Sequence, residues 1–293
     1  MEKGYVAMWK TRSKLLFTAG ALISGFALIQ MGMYAGQHVF GWKLNYNVFQ
    51  ICRSLLQHYG IGYMVDALSG LVFVTFAIAG GEAVRQCMAT RAAFRRLHRM
   101  RDLALTEALG ERYRELGTDR IWVIDYAKPA AFTMGLWKPR IVLSSALLSV
   151  LDKHEEEAVI YHEAYHMKHY DPLKTWLLQV CAKQLFYLPV LRHITNHYKT
   201  AREILADNEA IHRAGSPVGI GSALLKLLSM TPANTRLVNS AACSSFAETS
   251  INYRISRILD PQQEPVIQMP WRSIMFSSYV LVMLTLMFAL ALI

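Results

Sequence analysis

The sequence predicts an α+β integral membrane protein, mainly helical with a small β-sheet, its body set between transmembrane helices. Three observations carry this. Residues 15–33, 61–81 and 273–293 are apolar runs of spanning length, interrupted only by Asp66 near the outer end of the second. Residues 121–124 and 141–143 are short apolar runs bounded by turn residues, the pattern of small buried strands. Most of the remaining chain repeats apolar residues at helical spacing. At 53% hydrophobic, the 293-residue chain lies above the soluble norm of about 45–50%.

Lys3, Lys10, Arg12 and Lys14 precede the first apolar run. A signal peptide also begins with basic residues, but this run is long and no convincing small-x-small site follows, which favours an uncleaved span. Trp42, Tyr46 and Tyr59 in the following loop suit a membrane interface. Asp66 sits where a carboxylate can reach water, so it reads as solvated rather than functional. After the second run come Arg85, Arg91, Arg95, Arg96, Arg99 and Arg101, whereas the outer loop carries only Lys43 and Arg53. The positive-inside bias then places the N-terminus and everything after Gly81 in the cytoplasm, and the C-terminus outside. The expected division is 1–81, an N-terminal membrane region with two transmembrane helices; 82–272, a cytoplasmic domain that includes a partly membrane-inserted segment at 173–194; and 273–293, a C-terminal transmembrane helix.

Lys and Arg number 31 against 21 Asp and Glu, a formal charge of +10. The basic residues cluster beside apolar runs, which fits an anionic lipid bilayer; no direct nucleic-acid partner is expected. The four cysteines, at 52, 87, 181 and 243, form no C-x-x-C pair and read as free thiols.

Within the cytoplasmic part, residues 82–116 read as helix. The strand candidate 121–124 is followed by a break at Lys128-Pro129, the segment 131–136, a turn at 137–140 and the second strand candidate. Ser145 can cap a short helix through Val150. Residues 152–170 form the next helix, with Asp152 as N-cap and Glu155, Glu156 and Glu157 at the positive end of its dipole. Residues 173–194 are apolar but hold Lys174, Lys183, Gln184 and Pro189, so they predict a buried helix or hairpin that returns to the cytoplasmic side. Helix patterns follow at 198–214, 218–230 and 246–259, and Pro261, Pro265 and Pro270 link them to the last apolar run.

The helix at 152–170 carries His162-Glu163-Ala164-Tyr165-His166. One helical turn separates the two histidines, so both imidazoles face one metal ion, while Glu163 lies beside them as a proton acceptor for water. Catalytic zinc takes three protein ligands and leaves one position open. Glu203, in Glu203-Ile204-Leu205-Ala206-Asp207, is the best third ligand, ahead of His169. Asp207, one turn after Glu203, can fix the tautomer of a ligand histidine. A Glu and an Asp four apart are also common on solvated helices; the preceding motif favours the ligand reading.

Residues 131–136, Pro139 to Ser144, the HExxH helix and the Asp171-Pro172 ending together resemble the M56 membrane metallopeptidases. These are the protease parts of the beta-lactamase and methicillin-resistance sensor-transducers. The E-x-x-A-D segment is also similar to the M48 membrane proteases. The resemblance covers about residues 120–215, with a weaker match at 254–259. It implies a gluzincin in the bacterial inner membrane, multi-pass, with Zn2+ on His162, His166 and Glu203 and the site on the cytoplasmic side. Members of the family cut themselves and a transcriptional repressor, so a cytoplasmic or membrane-proximal protein, a repressor or the chain itself, is the expected substrate. Those sensors continue after their last span into an extracellular penicillin-binding domain; this sequence stops at Ile293, so the expected signal comes from a separate sensor protein or is a different one. A homodimer is a further expected partner state.

Glu163 is the expected general base. The segment 131–136 is expected to pair, as an edge strand, with extended substrate. Tyr165, His169, His212 and Arg254 are candidates for oxyanion or substrate contact, with Arg254 chosen. Ser144-Ser145 has no serine-protease partners. The alternative to a zinc endopeptidase is a proteolytically inactive, zinc-containing membrane receptor or scaffold.

Overall fold

The computed structural model describes residues 2–41, 53–55, 57–60, 62–230, 243–245, 254 and 271–290. The expected interface residues Trp42 and Tyr46, the helix over 246–259 apart from Arg254, and the proline linker lie outside the described residues. The described chain is mostly helical with a small sheet. In order come α1 (Glu2–Phe40), α2 (Gly62–Arg99), α3 (Leu103–Arg112), a short 3-10 turn (Arg114–Leu116), β1 (Ile121–Ile124), β2 (Ala131–Met134), β3 (Arg140–Ser144), α4 (Ser145–Leu148), α5 (Lys153–Lys168), α6 (Asp171–Gln184), α7 (Pro189–Ala214), α8 (Pro217–Met230), β4 (Cys243–Ser245) and α9 (Trp271–Leu290).

Two helices are long and apolar enough to cross a membrane, over Gly4–Gly36 and Ser69–Arg99. The first contains the run 15–33; the second begins within the run 61–81 and extends beyond it. At about 1.5 Å per residue, α1 reaches roughly 58 Å, well over the ~30 Å of a hydrocarbon core. The basic run after Gly81 continues α2 without a break to Arg99, and the chain then turns at Met100. Asp102 restarts it as the N-cap of α3, accepting from the amide of Leu105.

The chain divides into two compact units: residues 1–15, 86–177 and 196–267, and residues 16–85, 178–195 and 268–293.

The first unit holds the sheet, in the order β1-β3-β2-β4. β1 runs parallel to β3, with Ile121 opposite Ile141. β2 runs antiparallel to β3, with Phe132 opposite Val142. The turn between them needs Gly135, whose φ is +113° and where a Cβ would stand 2.7 Å from the carbonyl oxygen of Lys138. Side chains alternate across a strand. Ile121, Val123, Ile141 and Leu143 therefore share one face with Val159 and Ile160 of α5 and with Ala223, Leu224 and Leu227 of α8. Trp122, Ile124, Phe132, Met134 and Val142 share the other with Leu97 near the end of α2. Both faces are covered, which is why the strands read as unbroken apolar runs rather than alternating ones. Each of these buried aliphatics contributes about 1.5–3 kcal/mol. The same alternation turns Thr133 of β2 toward α5.

The far edge of β2, expected to await an extended substrate, carries the chain's own β4: Phe132, Thr133 and Met134 pair antiparallel with Ser245, Ser244 and Cys243.

α5 begins at a capping box. Asp152 accepts from the amides of His154 and Glu155, and the Glu155 carboxylate accepts from the Asp152 amide. Gly219 lets α8 approach this helix, since a Cβ there would lie 2.9 Å from the carbonyl oxygen of His154. The opening turns of α1 belong to the same unit, with Trp9 packed among Tyr165, Ala201, Ile204 and Leu205.

The second unit is organised by Met31, Tyr34, Val72, Leu185, Leu188, Leu191 and Ile194. The expected hairpin at 173–194 resolves into the end of α6, a break at 185–188 and the start of α7. Pro189 opens α7 rather than closing the preceding helix, because the first helical turn needs no proline N–H. The orphan amide of Val190 in that turn donates to the Ser277 hydroxyl of α9 (3.2 Å).

Candidate active site

α5 places His162 and His166 one turn apart, both buried, with their Nε2 atoms 3.2 Å apart. Glu203 on α7 brings its carboxylate to the same point, 3.5 Å from His162 Nε2 and 3.6 Å from His166 Nε2. The far nitrogen of each ring is engaged by a second carboxylate. His162 Nδ1 lies 2.9 Å from Asp207, one turn beyond Glu203, and His166 Nδ1 lies 2.9 Å from Asp171 at the start of α6. Each of these carboxylates is held by a guanidinium. Arg254 bonds both oxygens of Asp207 (2.8 and 2.5 Å) and reaches Glu203 at 3.2 Å. Arg202 pairs with Asp171 at 2.7 Å and donates to the Tyr165 hydroxyl at 3.0 Å.

This donor set fits a divalent cation. A carboxylate only accepts, so each Nδ1 carries the proton of a neutral ring and each Nε2 presents a lone pair. Two lone pairs facing each other at 3.2 Å repel, so either a proton on one ring or a metal cation belongs between them. Nitrogen and oxygen donors about 2.0–2.2 Å from one tetrahedral ion stand roughly 3.3–3.5 Å apart, close to the spacings of this trio. Charge agrees. Four carboxyl groups, Glu163, Glu203, Asp171 and Asp207, are buried beside two guanidiniums, Arg202 and Arg254, so the carboxyls outnumber the fixed cations. Among the described residues, His162, His166 and Glu203 form a cluster able to hold a metal ion.

The electrostatics follow from burial and from these partners. Burial opposes charging of His162, yet the hydrogen bonds to Asp207 and Glu203 outweigh it and lift its pKa to about 9. A proton thus competes with a metal for this site. Burial also pushes the Asp207 and Glu203 carboxyls up, but the Arg254 guanidinium overrides it and holds both below the usual carboxylate range. Glu163 differs: burial raises its pKa, and His162, His166 and Thr133 only partly oppose this. Thr133 Oγ1 lies 2.8 Å from Glu163 Oε2, while Glu163 Oε1 is buried with no hydrogen-bond partner among the described residues. A buried orphan oxygen beside a ligand cluster is what a proton acceptor for a bound water requires.

The remaining candidates fall elsewhere. His169 is half-buried, stacks on Tyr165 at 4.1 Å between ring centroids and points Nδ1 at the Tyr165 carbonyl oxygen (2.8 Å). His212 is exposed. Arg254, chosen from the sequence for substrate or oxyanion contact, is placed on Asp207 and Glu203 instead, behind the ligands. Sequence reasoning missed Thr133, Arg202 and the role of Asp171. A signal existed for Asp171, a carboxylate directly after the helix that ends the motif; none existed for Thr133, whose partner lies thirty residues on.

No curated protein matches the chain. The model of the family described as BlaR1 peptidase M56 matches residues 55–258, which contain the sheet, the HExxH helix, Glu203, Asp207 and Arg254. With well over half of its length matched, the chain belongs to the M56 peptidase family.

Proposed function

We propose that this protein is a membrane-bound zinc endopeptidase that cleaves a cytoplasmic or membrane-proximal protein, a transcriptional repressor or the chain itself, in signal-dependent regulation. The observation that carries this is the buried, unpaired Oε1 of Glu163 next to the His162–His166–Glu203 cluster. His162, His166 and Glu203 would hold the zinc, which would supply Lewis acidity toward the scissile carbonyl and a water. Glu163 accepts the proton of that water through Oε1 as the hydroxyl adds to the carbonyl carbon. It then delivers the proton to the leaving amine as the carbon–nitrogen bond breaks. Thr133 fixes the other carboxylate oxygen, so the base meets its proton in one orientation. Asp207 and Asp171 keep both imidazoles as Nδ1–H tautomers and so leave their Nε2 atoms free to ligate.

The substrate path is argued from β2. Self-cleavage draws support from β4, which lies along the edge of the strand that carries Thr133. Any other extended substrate would take that edge by displacing residues 243–245. The membrane reading is supported by the two long apolar helices and by outward-facing Leu22, Ile29, Val74 and Ile78, aliphatic side chains suited to lipid. The six arginines after Gly81 support a cytoplasmic site.

The test uses the purified full-length chain, zinc-loaded, with candidates found by comparing cells that express active protein and E163Q. E163Q keeps the shape and the ligands, so its zinc content should match wild type while its cleavage rate falls about 10²–10⁴-fold. Equal rates would exclude Glu163 as base. An occupied site that cuts nothing, its own chain included, would replace this reading with that of an inactive receptor.

A further inference from the structure

The two ligand histidines are braced alike, but the guanidiniums behind them are not placed alike. Arg254 touches the ligand Glu203 directly, so it acts on the centre's charge as well as on Asp207. Arg202 lies instead against Asp171 and Tyr165. It divides Asp171: one carboxylate oxygen faces Arg202 Nε at 2.7 Å and the other faces His166 Nδ1 at 2.9 Å. The Arg202 contact is an ion pair rather than an aligned hydrogen bond, and with a cation at one oxygen and His166 at the other it orients the carboxylate and, through it, the imidazole.

The same guanidinium also locks two helices. Its Nη1 donates to the Tyr165 hydroxyl at 3.0 Å, and its central carbon lies 4.5 Å from the Tyr165 ring centroid. Tyr165 immediately precedes His166 on α5, and Arg202 immediately precedes Glu203 on α7. Two neighbours of ligands are therefore joined to each other across the helices that carry those ligands. Sliding or rotating α5 against α7 would break this joint at the same moment as it separated His166 from Glu203. The backbone bends to complete it. Tyr170 takes φ +54°, a left-handed conformation that side-chain-bearing residues rarely adopt, between the end of α5 and Asp171. A buried ion pair is in general a weak source of stability, since desolvation offsets its attraction. Orientation is what this one offers.

We propose that Arg202 is a positioning residue of the metal centre, acting through Asp171 on His166 and through Tyr165 on the register of α5 against α7. It thereby sets the affinity and coordination geometry of the bound ion without touching substrate. The proposal rests on His162, His166 and Glu203 being the ligands.

The experiment loads the full-length chain with Zn2+ or Co2+, measures zinc affinity by chelator competition, and records the visible spectrum of the cobalt form. Wild type, H162A, D171N, R202M, R202K and the double variant R202M/D171N are compared. Wild type should bind one ion and H162A should lose it; a wild type that binds none overturns the ligand reading and this proposal together. R202M and D171N should each weaken zinc binding about 10–100-fold, the range expected when the partner of a ligand histidine is lost. Both should shift the cobalt bands. The double variant should lose less than the two single losses combined, because the route through Asp171 is shared while the route through Tyr165 is not. R202K keeps the charge but lacks the planar fork, so it should recover part of the affinity and still shift the cobalt bands; this variant carries the test if R202M does not fold. R202M or R202K with wild-type affinity and wild-type cobalt bands, whatever its melting temperature, overturns the proposal.

Discussion

The two sides of α5 solve burial in opposite ways. Toward the sheet and α8, Val159 and Ile160 meet other aliphatics and need no particular partner. Elsewhere on the helix, His162 and His166 meet the carboxylates of Asp207 and Asp171, and Glu163 meets the Thr133 hydroxyl, each at hydrogen-bond distance. The apolar side holds the helix in place and is indifferent to detail as long as volume is filled. The polar side gains little net free energy from its attractions, since each charge must first leave water. What it gains is a single arrangement. The helix can afford such a side because its other side is already secured.

The comparison can be broken from the polar side first. R254M removes the guanidinium that neutralises Asp207 and Glu203 and leaves both carboxylates buried without it. Losing one partner of a buried pair costs about 3–5 kcal/mol, a large part of a domain's stability. A fall in denaturant midpoint of that size, together with loss of metal, is expected; a change below about 1 kcal/mol, the usual scale of an exposed pair, would show that the cluster is solvated.

On the apolar side the expected effect is smaller and of another kind. I160V removes one buried methylene from the core and should cost about 0.5–1.5 kcal/mol. Metal content and cleavage rate per folded molecule should stay at wild-type values. A variant equally stable but unable to hold metal would mean that the two sides are not independent.

The weakest effect lies at the end of the helix, where both kinds of burial meet. Asp152 has its pKa lowered first by the hydrogen bond from the Glu155 amide. Burial raises that of Glu155, but Lys226 and Ser222 outweigh it, so Glu155 also titrates below its ordinary value. Both folded pKa values lie under the unfolded ones, near 3.9 for Asp and 4.3 for Glu. The stability they contribute is therefore complete above that range and is lost as pH falls through the folded values. Acid unfolding followed by circular dichroism should show this limb, and E155Q should flatten it. An unchanged limb in E155Q would assign acid sensitivity to the metal cluster alone.

How much was legible beforehand follows the same division. The Asp152 cap, the strand runs and the His162–His166 pair are local patterns, stated from residues a few positions apart; Glu203, 37 residues beyond His166, is reached only through its E-x-x-A-D segment read together with that pair. The contacts that complete the site are not local. Thr133 meets Glu163 only because β2 lies on α5, and Arg254 meets Asp207 across a stretch whose path no periodicity reveals. A proline stops one helix and opens another with equal ease, and only the packing of Leu185, Leu188 and Leu191 decides that Pro189 opens α7. The edge of β2 was read as open because three residues, 243–245, are too short a strand to declare themselves.

The place of Arg254 has a consequence in time. A ribosome makes Glu203 and Asp207 well before Arg254, so for an interval the growing chain holds both carboxylates without the cation that lets them be buried. During that interval closing α7 onto α5 would enclose excess negative charge, and water remains the better solvent for it. The catalytic arrangement is thus withheld until the later part of the chain arrives. On the proposed function, the chain would stay harmless to its neighbours while it is being made.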